Sequence, residues 1–320
     1  MKKIGIVTSG GDAPGMNAAI RALVRLSAWN NIQVIGFIRG WEGVINNRFT
    51  VLNPRSVSGI LHLGGTILKT SRSLEFKTRE GLEKAAVNLE KDGVDGLVVI
   101  GGEGSVRGAY ELSKFTDVKI VVLPASIDND VYGTDETIGF DTAVNTALDE
   151  INKIRDTAIS HERTFIVEVM GRKRGFLAVE VGLTAGAEVI LVPEVPYNEE
   201  NVLDILKKNV DKGKSSSIIV IAEGVGKTSS LAEAIEKKVG VEVRVSILGY
   251  VQRGGNPTAR SRHLASIFSE KAIELMLDGV GGRLVGLMNG RVSSISLEES
   301  ISNEKPLNLE LLKLAEKLAI

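Results

Sequence analysis

The chain has 320 residues, which at roughly 150 residues per domain predicts about two domains with room for sizeable cores. Its 39 Lys and Arg against 40 Asp and Glu leave a net charge of -1, so no general field draws in nucleic acid or an anionic membrane surface, and any anion site has to be local. The absence of cysteine excludes disulfides, thiolate nucleophiles, cysteine-ligated zinc and iron–sulfur clusters; the scattered histidines His62, His161 and His263 make no case for a zinc hydrolase, and carboxylate-bound magnesium stays open.

The first element is a strand, Lys3 to Val7, whose apolar run stops at Thr8-Ser9-Gly10-Gly11. It is too short for a secretory signal core, and no later run approaches the roughly 20 apolar residues of a membrane helix, so a cytoplasmic protein is expected. The glycine cluster that follows, up to Asn17, lies before a helix carrying Ile20, Leu23 and Val24. Glycines there let backbone N–H groups approach an anion near the positive end of a helix, although a tight strand-to-helix turn would look the same. Strands are next predicted at Gln33 to Phe37 and Gly96 to Ile100. The second of these runs into another cluster, Gly101-Gly102-Glu103-Gly104-Ser105. A carboxylate beside bound phosphates is repulsive unless a cation lies between them, so Glu103 makes the loop readable either as a phosphate cradle that positions hydrated Mg²⁺ or as a solvated turn.

A strand from Lys119 to Leu123 leads to Ser126, Asp128 and Asp130, then Gly133-Thr134-Asp135. If the segment is extended, the alternation points Ser126, Asp128 and Asp130 the same way, where one carboxylate could take a hydroxyl proton and another orient it or help hold metal. A plain acidic turn is the competing reading, and a calcium loop is disfavoured by the misplaced Gly133. Asp141 to Ser160 carries Val144, Leu148, Ile151 and Ile154 at helical spacing and is predicted as one amphipathic helix. Further strands are predicted at Thr164 to Val169, Ser217 to Ala222 and Arg244 to Leu248. Gly226-Lys227-Thr228 imitates the end of a P-loop, but Ile221 stands where that motif needs glycine. The glycines also lack dinucleotide-fold spacing, the second cluster running Gly102, Gly104, Gly108. Arg72, Arg163, Arg172, Arg244 and Arg253 stand in or beside the turns, where a planar guanidinium suits phosphate, though each alone is as readily a surface ion-pair partner. The alternation of Val/Ile-rich strands with helices predicts an α/β protein with mainly parallel sheets.

Six segments together resemble the ATP-dependent 6-phosphofructokinases of bacteria: Gly10 to Ala18, Gly64-Gly65-Thr66, Ile127 to Asp130, Gly133-Thr134-Asp135, Val167 to Arg172 and Gln252 to Gly255. The resemblance covers essentially the whole chain. It implies two similar three-layer α/β/α lobes, an ATP-binding lobe of residues 1–140 plus 258–302 and a sugar-phosphate-binding lobe of residues 141–257 plus 303–320. It implies a glycolytic kinase that moves the γ-phosphoryl group of MgATP to the 1-hydroxyl of fructose 6-phosphate. By that likeness Asp128 is the base, with Ser126 and Asp130 orienting the reacting groups. Gly11, Arg72, Ser73, Gly102, Glu103, Gly104 and Ser105 would hold ATP, Glu103 would hold Mg²⁺, and Arg72 and Arg172 would offset charge on the transferring group, with Gly11 also catalytic. The sugar phosphate would be met by Ser126, Ile127, Asp128, Arg163, Met170, Gly171, Arg172, Glu223, Arg244, Tyr250 and Arg253. In the family the equivalents of Arg163 and Arg244 come from a neighbouring subunit, so a homotetramer is expected, with no nucleic acid or membrane partner.

Pyrophosphate-dependent relatives typically carry Asp where Gly104 stands and Lys where Ala125 stands, so the resemblance favours ATP. A pyrophosphate-dependent kinase, a kinase for another phosphosugar, and a weakly catalytic nucleotide-binding paralogue are the alternatives. The chain departs from the family in having Glu103 for the usual Asp, Ser126 for Thr and Tyr250 for His. Arg21, Arg25, Arg55, Arg155, Glu188, Lys212 and Lys214 resemble a site for an ADP or phosphoenolpyruvate effector, although Pro54, Gly59, Ser215 and Ser216 depart from it.

Overall fold

In the computed structural model, which describes residues 1–319, the chain opens with β1 (Lys3–Ser9), α1 (Met16–Trp29), β2 (Gln33–Phe37), α2 (Trp41–Ile45), β3 (Phe49–Leu52), α3 (Arg79–Lys91), β4 (Gly96–Gly101), α4 (Glu103–Ser113), β5 (Lys119–Pro124) and α5 (Phe140–His161). It continues through β6 (Thr164–Val169), α6 (Phe176–Ala185), β7 (Val189–Leu191), α7 (Glu199–Asp211), β8 (Ser217–Ala222), α8 (Thr228–Val239) and β9 (Val243–Ile247). It closes with α9 (Ala259–Leu277), β10 (Arg283–Met288), β11 (Arg291–Ser296), α10 (Leu297–Ser302) and α11 (Glu310–Leu318). Two units result, one of Met1–Thr142 with Arg253–Lys305 and the other of Ala143–Gln252 with Pro306–Ile320. No helix among the described residues is long and apolar enough to cross a membrane.

The first unit holds a seven-stranded sheet in the order β11-β10-β5-β4-β1-β2-β3. Its centre, β5, β4, β1 and β2, is parallel, and the edges turn antiparallel at β3 and β11. Alternate strand residues face opposite sides. Val7, Ile35, Phe37, Leu97, Val99, Ile120 and Val122 join one core with α2, α3, α4 and α10. On the other side α1 packs against α9, burying Ile20, Leu23, Leu264 and Phe268 completely. Truncating a leucine there to alanine costs about 2–5 kcal/mol. The second unit has a four-stranded parallel sheet, β7-β8-β6-β9, with Ile166, Ile219 and Ile221 packed against Leu203 and Leu206 of α7 and Leu231 and Ile235 of α8.

The α/β class and mainly parallel sheets are borne out. Gln33–Phe37, Thr164–Val169 and Ser217–Ala222 are strands over the expected residues, the others shift by one or two positions, and the long helix runs Phe140–His161. β3, β7, β10 and β11 were not among the expected strands. β7 spans three residues, and β11 is the polar run Arg-Val-Ser-Ser-Ile-Ser. The β10–β11 hairpin does carry a signal, since Asn289 and Gly290 both have positive φ (52° and 75°), as a two-residue turn between twisted strands demands.

Candidate active site

In the first unit, the order β3-β2-β1-β4-β5 reverses direction between β1 and β4, and ligands of open α/β sheets bind in the crevice beyond such strand ends. Both glycine clusters fall there. Gly10 and Gly11 leave the end of β1, while Gly102 leaves β4 and opens α4. Ser105 Oγ donates to Ser9 O at 3.0 Å, and Ala125 N–H donates to Gly101 O at 2.9 Å, fastening the ends of β1, β4 and β5 together. Neither α1 nor α4 has a side-chain cap at its N-terminus, so their leading N–H groups have no side-chain acceptor. Arg72 and Ser73 are brought over by a loop whose Thr70 Oγ1 donates to Gly10 O at 2.8 Å and whose Ser71 Oγ donates to Glu42 Oε2, also at 2.8 Å. Arg253 lies directly above Gly11, where a Cβ would be 2.1 Å from its Nη1, and that nitrogen donates to Asp12 O at 3.2 Å. Glycine at position 11 is what allows so close an approach.

Glu103 is the first residue of α4, exposed, with Oε1 2.9 Å from Arg107 Nη2 one turn on. Among the described residues no group of three or more His, Cys, Asp or Glu forms a ready metal cage. A single exposed carboxylate such as that of Glu103 fits a magnesium ion that arrives with substrate phosphates and water and needs one or two carboxylates from the protein.

The acidic turn after β5 differs from an extended strand. Asn129 has φ 53°, so the chain bends between Asp128 and Asp130 and the expected alternation of side chains across Ser126, Asp128 and Asp130 is interrupted there. Asn129 holds the bend: its Oδ1 accepts from Thr137 N–H at 3.0 Å and its Nδ2 donates to Asp135 O at 3.3 Å. Thr137 Oγ1 donates to Ser126 O at 2.6 Å, and Asp128 N–H donates to Ser126 Oγ at 3.1 Å. Asp128 ends up 2% exposed beside the buried Ile127, while Asp130 is only partly buried.

Lys305, absent from the expected residues, reaches this turn from the end of the unit, its Nζ donating to Asp135 O at 2.8 Å. Burial pushes its ammonium down to about 8 against the opposing pull of Asp135, Asp130 and Glu136. Between pH about 8 and 10.5 the unfolded chain therefore keeps a proton that the folded chain has lost, and stability rises with pH across that window. Compared with Lys305→Met, the wild-type protein is expected to gain melting temperature on going from pH 7 to pH 9.5; a constant difference between the two would show that Lys305 is not held in this way.

In the second unit the parallel pairing of β6 with β8 sets Met170, Gly171 and Arg172 next to Glu223. Gly171 (φ 128°) and Arg172 (φ 54°) make a tight left-handed turn, and Arg172 N–H donates to Glu223 Oε1 at 2.6 Å. Arg163 and Arg244 meet on Glu242, which none of the sequence motifs singled out: Arg163 Nε lies 2.7 Å from Oε2, and Arg244 Nη2 contacts Oε1. The hydrogen bond from Arg163 is the main reason the Glu242 carboxyl is held below its ordinary range. Tyr250 is 82% exposed.

The residues expected at an effector site divide between the units. Arg21 and Arg25 lie one turn apart on α1, with Arg25 and Arg55 exposed. In the second unit Arg155 Nη2 donates to Ala185 O at the end of α6, and the buried Glu188 carboxylate takes Lys214 Nζ at 2.7 Å and Ile218 N–H. Lys212 is the C-cap residue of α7.

A family model described as Phosphofructokinase matches residues 3–276. The chain is 50% identical over 322 residues to the ATP-dependent 6-phosphofructokinase 1 of Thermus thermophilus, covering all of both chains. It is 48% identical over 332 residues to the ATP-dependent 6-phosphofructokinase of Halothermothrix orenii, again covering all of both. Among solved structures, the phosphofructokinase of Saccharomyces cerevisiae superimposes with a TM-score of 0.88 at 34% identity, covering 100% of this chain and 48% of the yeast chain.

Proposed function

The chain belongs to the phosphofructokinase family, and we propose that it transfers the γ-phosphoryl group of ATP to the 1-hydroxyl of D-fructose 6-phosphate, a glycolytic step giving fructose 1,6-bisphosphate and ADP. The observation that carries this reading is 48–50% identity across the whole length with relatives named ATP-dependent 6-phosphofructokinase. Gly11, Arg72, Ser73 and the loop from Gly102 to Ser105 hold the nucleotide, with backbone N–H groups at the start of α4 turned to use as phosphate donors. Met170, Gly171, Arg172, Glu223, Tyr250 and Arg253 receive the sugar phosphate.

As the substrate oxygen forms its bond to the γ-phosphorus and the bond to ADP breaks, Asp128 takes the hydroxyl proton. Ser126 and Asp130 orient the acceptor, and Arg72 and Arg172 face the charge on the transferring group. Glu103 would hold Mg²⁺, which would supply positive charge to offset that of the nucleotide phosphates. ATP is favoured over pyrophosphate as donor because Gly104 carries no side chain to obstruct the nucleotide, with nothing beyond its chain neighbours and its own helix backbone within 4 Å of its Cβ position, and because Ala125 is not the lysine that would suit inorganic phosphate.

Arg163 and Arg244 serve the sugar-phosphate site of a neighbouring copy in a homotetramer. Val245 and Ile247 of the edge strand β9 and Val251 just after it are exposed apolar residues that support an interface at that edge of the second unit. Arg21, Arg25 and Arg55 in the first unit, and Arg155, Glu188, Lys212 and Lys214 in the second, are assigned to an ADP or phosphoenolpyruvate effector, and the chain works in the cytoplasm. The direct test assays purified protein with Mg²⁺ and fructose 6-phosphate, supplying ATP or pyrophosphate. Turnover with ATP alone is expected; turnover with pyrophosphate alone, or with neither, overturns the assignment.

A further inference from the structure

Strands β6 and β9 run parallel with Thr164 opposite Val243, and Thr164 N–H donates to Glu242 O at 3.0 Å. That register sets Arg163, the residue before β6, beside Glu242, the residue before β9. Because side chains two positions apart on extended chain share a face, Arg244 falls on the same side as Glu242. One carboxylate thus gathers two guanidinium groups that would otherwise repel each other, Arg163 Nε lying on one oxygen and Arg244 Nη2 on the other. The contact takes only part of each fork. Arg244 Nη1 is turned to Val243 O at 3.2 Å, and the bond to Arg163 is made through Nε, so Glu242 does not engage the two Nη groups of Arg163. The three side chains are 27%, 42% and 49% exposed for Arg163, Glu242 and Arg244, so the pairs add little to folding stability.

We propose that Glu242 is a positioning residue for sugar-phosphate recognition, holding Arg163 and Arg244 as a pair whose remaining N–H donors are presented together to a single phosphate group. The proposal rests on the reading that these two arginines bind the phosphorylated sugar. Two long side chains fixed before binding lose less freedom when the ligand arrives, so the carboxylate acts on affinity and not on the chemical step. The triad keeps a net positive charge, and the phosphate does not need to displace the carboxylate.

The experiment compares wild-type protein, Glu242→Gln and Glu242→Asp in initial-rate assays at saturating ATP, with melting temperatures measured alongside. Glu242→Gln is expected to raise KM for fructose 6-phosphate about three- to tenfold, the scale of two exposed ion pairs, while kcat, KM for ATP and melting temperature stay near wild type. Glu242→Asp recovers part of the loss, and in an Arg163→Ala background the glutamine substitution adds less than about twofold, as coupled neighbours should. An unchanged KM would make Glu242 a bystander, and a lowered KM would make it a competitor of the phosphate; either overturns the proposal. Failure of the functional reading looks different, since the wild-type protein itself would then show no turnover of fructose 6-phosphate, and the proposal would fall with it.

Discussion

Asp128→Asn is expected to lower kcat about 10²- to 10⁴-fold while leaving KM for ATP and the melting temperature close to wild type. The side chain is 2% exposed, within a turn whose shape is set by other groups: the Asn129 amide on Thr137 and Asp135, and Thr137 Oγ1 on Ser126 O. The isosteric amide keeps that turn filled but cannot take a proton from the sugar hydroxyl. Steady-state kinetics at saturating concentrations of both substrates read the effect, and a loss smaller than tenfold would remove Asp128 as the base.

Gly104→Asp is expected to raise KM for ATP about 100-fold or more, because a like charge set against bound phosphates costs several kcal/mol. The substitution suits the fold. Apart from its chain neighbours and its own helix backbone, no heavy atom lies within 4 Å of the Cβ position, and the residue sits in the first turn of α4, where an acid is favourable to the helix dipole. Nucleotide affinity and stability should therefore separate, with the melting temperature held or slightly raised. An unchanged KM for ATP would mean that the nucleotide does not pass over this loop.

What the sequence made legible follows from where its information is local. β1, β4 and β5 are apolar runs buried on both faces, and the glycines after β1 and β4 announce phosphate-sized turns at the same edge of the sheet. β11 hides because its burial is partial and its composition polar, and β7 because three residues carry no period. The acidic turn was legible as chemistry but not as geometry, since nothing in Asp128-Asn129-Asp130 declares that Asn129 takes φ 53° until Thr137 and Asp135 are there to hold its amide. Lys305 meets Asp135 across 170 positions of chain, a pairing that no local pattern encodes. Glu242 is intermediate: its alternation with Arg244 is written in the sequence, but its meeting with Arg163 depends on the register of two strands separated by most of the second unit.

Sharing of one nucleotide and acceptor site by the ends of β1, β4 and β5 is the claim on which the proposed chemistry stands. Its most direct test is a crystal structure of the protein with Mg²⁺, a non-hydrolysable ATP analogue and fructose 6-phosphate. The predicted result puts the analogue's phosphates against Gly11 and Gly102 to Ser105, the metal beside Glu103, and the sugar 1-hydroxyl within about 3 Å of the Asp128 carboxylate. A nucleotide bound away from those loops, or an acceptor hydroxyl out of reach of Asp128, would contradict it.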